Sequence, residues 1–137
     1  EIECGDYYVR ALSSWSLLLA AQGYAYDGPA QRLSFNPRIT PDDHRSFFST
    51  ADGWGRFEQK RSGNSQTNAL AFDWGRCDLR ELRFGLPSGV TKVTAKAKLD
   101  DRGLFIETKL DKGTAVITLT TPITAVAGNT VTVEMSF

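Results

Sequence analysis

The chain has 137 residues, with 16 Lys and Arg set against 16 Asp and Glu. That length suits one domain of ordinary size and is too short for two. A neutral chain with no basic cluster is a poor binder of phosphate backbones, so a dedicated nucleic-acid role is set aside.

An apolar fraction of 41% and a charged fraction of 23% are those of a globular chain, not a disordered one. Cysteine occurs at 4 and 77 only, and His44 is the one histidine. Three such residues cannot make a four-ligand zinc site, and no metal or cofactor is expected. The longest uncharged stretch of the first half, residues 11–26, is interrupted by Ser13, Ser14, Ser16 and Gln22. A membrane span needs roughly 20 mostly apolar residues, so none is expected there. The chain starts at Glu1 with no basic-then-apolar leader, and we expect it to be a piece of a longer protein.

In chain order, residues 4–22 read as one helix, free of Pro and rich in Ala and Leu in the second half. Gly23 stands where a helix C-terminal glycine belongs. Asp6 suits the positive end of the helix dipole and lies one turn from Arg10. Residues 24–52 read as a loop-rich connector with turns at YAYDGPAQ, NPRITPDD and STADG, and with LSF (33–35) and SFF (46–48) as short extended pieces. From Gly53 on, GWGRFEQK, NALAFDW, CDLRELRFG, TKVTAKAKL, LFIETKL, TAVITLT and TVTVEMS read as strands. Turn clusters such as SGNS, LPSG, LDDRG, LDKG and VAGN separate them. Period-two alternation recurs: Val131, Val133 and Met135 alternate with Thr132, Glu134 and Ser136. The expected fold is α+β, an N-terminal helix followed by an antiparallel β-sandwich or jelly-roll-like region. The division expected is 1–52 for helix and connector and 53–137 for the β-rich domain.

The helix lacks a solvent side. At about 100° per residue, Tyr7, Leu18, Ala11, Trp15, Tyr8, Leu19 and Leu12 fall in an arc of roughly 140° and form one core face. The opposite face carries Val9, Ser13, Ser16, Leu17, Ala20 and Ala21 instead of Lys and Glu. A helix uncharged all round is buried on both sides, whereas one sheet covers one face. Three readings follow. Either the second face packs on a helical body outside this chain, or it self-associates there, in line with exposed apolar patches as interaction surfaces. Alternatively the connector folds over it, with Phe35, Phe47 and Phe48 as cover.

The stretch EIECGDYYVRALSSWSLLLAAQGYAYDGP, then RLSFNPRI, then DDHRSFFSTADGWGRFEQ resembles the C-terminal part of glycoside hydrolase family 116, the non-lysosomal, bile-acid-type β-glucosidases and glucosylceramidases and their microbial relatives. The E-x-E-C-G-D-x-Y-x-R-A block, the YDGP turn and the R-S-F-F…GWG block carry the resemblance, which covers roughly residues 1–60. It implies a protein with an N-terminal β-sandwich and an (α/α)₆ barrel that hydrolyses β-glucosides with retention. The Glu nucleophile and Asp acid/base it implies would lie upstream of this chain. It further implies that Glu1 and Arg10 grip glucose hydroxyls. Tyr7 stands where His is common in this block, and the strands after about residue 65 extend beyond the shortest family members.

Elementary chemistry is compatible with that role. A carboxylate offers acceptors and a guanidinium a planar fork of donors, which together suit sugar hydroxyls. Glu1 and Arg10 are about two and a half helical turns apart, so they converge only if Glu1 lies in a non-helical segment that bends back. In the isolated chain, the plain alternative is a free Glu1 and an Arg10 paired with Asp6.

Other residues are weighed on chemistry alone. A retaining glycosidase needs two carboxyls about 5 Å apart across the scissile bond. Asp42/Asp43 follows Pro41 and reads as a turn or helix cap, and Asp100/Asp101 sits in a hairpin turn, so both read as structural. His44 lacks a strained nucleophile turn around any serine and reads as a surface or supporting group. Trp15 reads as core. Trp54, between two glycines, and Trp74, before Gly75, either stack on carbohydrate or anchor the connector on the sheet. A Cys4–Cys77 disulfide and two separate packed thiols both remain open.

The leading expectation is therefore the C-terminal segment of a β-glucosidase-like hydrolase, inactive alone, with the rest of the polypeptide and a carbohydrate substrate as partners. The alternative is a non-catalytic carbohydrate-binding β-sandwich, in which Trp54 and Trp74 hold oligosaccharide.

Overall fold

The computed structural model describes residues 14–137. Glu1, Cys4, Asp6, Tyr7 and Arg10 lie outside the described residues, as does the first part of the expected helix. The described elements are a helix, α1 (Trp15–Gln22), and ten strands: β1 (Ala25–Asp27), β2 (Arg32–Phe35), β3 (Asp43–Ser49), β4 (Gly53–Ser62), β5 (Ser65–Gly85), β6 (Thr94–Leu99), β7 (Arg102–Leu104), β8 (Ile106–Asp111), β9 (Thr114–Val126) and β10 (Thr130–Ser136). The fold is α+β, a short helix followed by a strand-rich, sandwich-like sheet, as the sequence predicts.

The ten strands form one sheet that doubles over along β5, which is 21 residues long. The first half of β5 lies between β4 and β10, and that leaf continues outward to β3 on one side and to β6 and β7 on the other. The second half lies between β2 and β9, with β1 and β8 at the edges. Side chains from both leaves meet in one core. Phe35 of β2 stacks on Phe57 of β4 with ring centroids 3.9 Å apart, and Phe84 of β5 lies parallel to both. Leu70, Phe72, Leu79, Leu82, Ile117, Val131, Val133 and Met135 complete it.

Pairing of β2 with β5 is parallel, the one departure from the antiparallel expectation among the described strands. The cause is connectivity. The chain leaves β2, forms the β3–β4 hairpin in the other leaf, and returns through β5 in the same direction as β2. The expected connector also contributes more than loops. LSF and SFF become β2 and β3, and Phe35 and Phe48 are buried in the sandwich core.

Those burials overturn the expectation that the connector covers the helix. Phe35 and Phe48 are committed to the sandwich, and Phe47 points to solvent. Trp15, expected in the core, is 66% exposed, with Leu17 at 69% and Leu19 at 49%. The helix is fixed at its end instead. Gly23 takes a left-handed φ of 56° and donates its N–H to Ala20 O. A Cβ there would overlap the Asn36 carbonyl, so glycine is required. Asn36 N–H donates to the Gln22 and Gly23 carbonyls, and Arg38 N–H to that of Ala21 at 2.8 Å. The Gln22 amide, the one buried side chain of α1, donates to Phe47 O at 2.9 Å and caps the outer edge of β3.

Candidate functional site

The outer face of the first leaf is set by period two. Along β4, Gly55, Phe57 and Gln59 point inward, so Trp54, Arg56, Glu58 and Lys60 point out. Register places Phe47 opposite Arg56, Ser49 opposite Trp54, and Trp54 opposite Trp74.

Trp74 reaches that face through a break in the alternation. Gln66, Asn68, Leu70 and Phe72 point inward along β5, and strict continuation would bury residue 74 as well. The pairing with β4 slips instead, between Trp54 and Gly55, so that Asp73 is an extra residue on β5. Such a bulge re-aims the side chains beside it. Gly75 completes the bend with φ of 73°, and a Cβ on it would overlap the Asp52 carbonyl. The outcome is a pair of directly opposed indoles, 48% and 60% exposed, on one side of the sheet.

A polar pair stands beside them. The Arg56 guanidinium donates to Asp73 through Nε (2.9 Å to Oδ2) and a terminal nitrogen (2.9 Å to Oδ1). The hydrogen bond and charge of Asp73 raise the Arg56 pKa further above its ordinary range. Arg45 lies 3.7 Å from Glu58 in the neighbouring row. Charge on this face is balanced.

The outer face of the other leaf has a different character. The YDGP turn is closed by Asp27 Oδ1, which accepts from Ala30 N–H, and Asp27 also pairs with Arg32 at 2.6 Å. Arg32 lies 3.6 Å from Glu81, which pairs with Arg83 at 2.7 Å. Asp27, Arg32 and Arg83 of this chain of charges line an open groove of about 480 Å³ together with Tyr26. Every charged group in it is already engaged by a neighbour of opposite sign.

The remaining sequence candidates are placed as follows. Asp100, at φ of 52° in the β6–β7 turn, accepts from Asn129 Nδ2 and Thr130 N–H, both at 2.8 Å, a structural role as expected. Asp42 lies 3.8 Å from Arg61 at the start of β3. His44 is buried, not at the surface. Its Nδ1 lies 3.1 Å from Ile39 O and its Nε2 3.0 Å from Ser46 Oγ, which pins the start of β3. Its second nitrogen faces a peptide carbonyl, not a carboxylate, so the pair has no third member of a nucleophilic triad. Cys77 is buried, and desolvation pushes its thiol up to about 11. Among the described residues no three His, Cys, Asp or Glu side chains cluster as metal ligands would, and no helix is long and apolar enough to cross a membrane.

Sequence reasoning missed a buried amide cluster. Gln66 Nε2 donates to Gln59 Oε1 and Asn68 Oδ1, Arg61 Nε donates to Gln66 Oε1, and Arg61 reaches the Gly85 carbonyl at 2.9 Å. It ties the start of β5 to its end. The QTN run carried the signal, since polar residues occupy the inward phase of that strand.

No family model matches the chain, and no curated protein does. Among solved structures it is similar to the α-L-rhamnosidase from Dictyoglumus thermophilum, a glycoside hydrolase, at 11% identity and a TM-score of 0.47. The match covers 85% of this chain and 12% of the rhamnosidase chain. It is a weak likeness, and to a different glycoside hydrolase from the family that the opening block resembles.

Proposed function

We propose that this chain is the C-terminal segment of a retaining β-glucosidase-like or glucosylceramidase-like glycoside hydrolase. Its helix completes a helical catalytic barrel, and its β-rich part is the terminal domain. Glu1 and Arg10 contribute to the glucose subsite, Glu1 accepting from sugar hydroxyls and Arg10 donating to them. The chain alone hydrolyses no glycoside.

The observation that carries this reading is α1. Trp15, Leu17 and Leu19 all rank among the exposed large apolar side chains. A soluble chain that leaves adjoining large apolar side chains open is matched to a protein surface. The motif block of residues 1–10 supplies the chemistry, and the uncovered helix directly after it supplies the reason to place a barrel there.

An antibody raised against the 137-residue chain tests this in extracts of the source organism. A protein several times larger than the chain is expected, and after purification it releases glucose from an aryl β-glucoside with retained configuration. Glu1→Gln and Arg10→Ala in that protein raise KM. A native band of the chain's own size, or glucoside hydrolysis by the purified chain, overturns the proposal.

A further inference from the structure

We infer that the outer face of β3, β4 and β5 binds a neutral oligosaccharide, with the Trp54 and Trp74 indoles as a stacking platform and the Arg56–Asp73 pair as the hydroxyl clamp. This goes beyond the proposed hydrolase role and does not depend on it.

The face is built in a way that core stability does not require. Continued alternation would send residue 74 inward beside Phe72. The Asp73 bulge and the left-handed Gly75 place it outside, opposite Trp54. Asp73 continues the outward phase of β5 and pairs there with Arg56. The re-aimed Trp74 thus joins Trp54 beside a donor–acceptor pair on one side of the sheet.

The chemistry selects the ligand. A pyranose ring offers C–H faces to an indole and hydroxyls that both donate and accept. Arg56 has N–H groups beyond those that reach Asp73, and the Asp73 oxygens keep further lone pairs. A vicinal diol can engage both without breaking the pair. Charge balance on this face, with Arg56 against Asp73 and Arg45 against Glu58, gives no pull on phosphates or other polyanions.

Size argues against a protein partner here. A large aromatic side chain carries about 150–250 Å² of buriable surface, so the exposed parts of Trp54, Trp74 and Phe47 together offer roughly 300 Å². A stable protein interface needs about 800 Å² from each side. The residues that continue the rows, Ala69, Ala71 and Thr67, are small. The apolar area matches one or two sugar rings laid on the sheet.

The test is a titration of the whole 137-residue chain with cellohexaose and maltohexaose, read by the indole N–H signals in nuclear magnetic resonance. Trp15 is the internal control. We expect saturable shifts of the Trp54 and Trp74 signals and none for Trp15. Trp54→Ala and Trp74→Ala should each weaken binding about tenfold or more, and Asp73→Asn about threefold, while Tyr26→Ala on the other leaf changes nothing. If Trp74→Ala fails to fold, Trp54→Ala and Asp73→Asn still decide. The inference fails if neither sugar moves the two signals at about 10 mM, or if all three indoles shift together. It also fails if light scattering shows a dimer that Trp54→Ala dissociates, because the face is then an interface between copies. None of these outcomes bears on the size or activity of the native protein, so the two proposals fail separately.

Discussion

Two groups of large apolar side chains in this molecule have opposite fates. Phe35, Phe57 and Phe84 are nearly inaccessible and stack across the two leaves, whereas Trp15, Leu17 and Leu19 of α1 stand in solvent. Residue type does not separate them. The phenylalanines sit on strands whose pairing fixes which phase points inward, and β5 runs through both leaves and brings them together. The last turn of the helix is tied to the sheet by backbone hydrogen bonds from the Asn36 and Arg38 N–H groups and by the Gln22 amide, which donates to Phe47 O. Apolar periodicity reveals what favours burial, and topology decides whether a partner is at hand.

The sandwich side of that comparison is open to the largest test. Phe57 is fully buried, stacked on Phe35 with centroids 3.9 Å apart and near-parallel to Phe84 at 6.2 Å. Phe57→Ala removes a ring from a close-packed stack and should cost about 3–5 kcal/mol, a large part of the stability of a domain of this size. Urea unfolding followed by circular dichroism measures it. A loss under about 1 kcal/mol would mean that the two leaves do not pack as described.

Cys77 examines the same core through pH. Its thiol is held at about 11 against an ordinary 9.0, mainly by desolvation. Between those values the unfolded chain releases the proton while the folded chain keeps it. Stability should therefore be whole below pH 9 and fall as pH rises toward about 11, by on the order of 3 kcal/mol. In Cys77→Ala that part of the alkaline slope should disappear. Burial also pushes the Tyr24 phenol up, which extends the decline at still higher pH in both proteins.

Much of the sandwich was readable from the sequence, for a physical reason. Period two in Val131, Val133 and Met135 identified their inward faces, and Gly23 marked a helix end because the left-handed conformation favours glycine. The junction of NALAFDW and CDLRELRFG was not readable. Gly75 looks like a turn, yet it is a bend inside one 21-residue strand, and only pairing with β4 distinguishes the two. The spacing from Leu79 to Leu82 already breaks period two, and the structure places a second register slip there. For the candidate sugar face, Trp54 and Trp74 could be named from their glycine neighbours. Their opposition, and the Arg56–Asp73 pair between strands, could not, because a bulge depends on two strands at once. The parallel β2 was hidden likewise, since four residues carry no mark of direction.

The helix side gives the smallest effect on stability and the sharpest contrast. Leu17 is 69% exposed, so Leu17→Lys should leave the chain's unfolding free energy within about 0.5 kcal/mol of the parent. The same substitution in a protein where α1 is enclosed would bury an unpaired ammonium, a change of several kcal/mol. Denaturation of the 137-residue chain beside thermal inactivation of the larger protein proposed above, each with and without Leu17→Lys, reads both states of one helix. Indifference in the short chain with collapse in the long one is the expected pattern. A loss of 2 kcal/mol or more in the short chain would show that α1 is already covered there, whereas indifference in both would leave the exposed leucines without a barrel to meet.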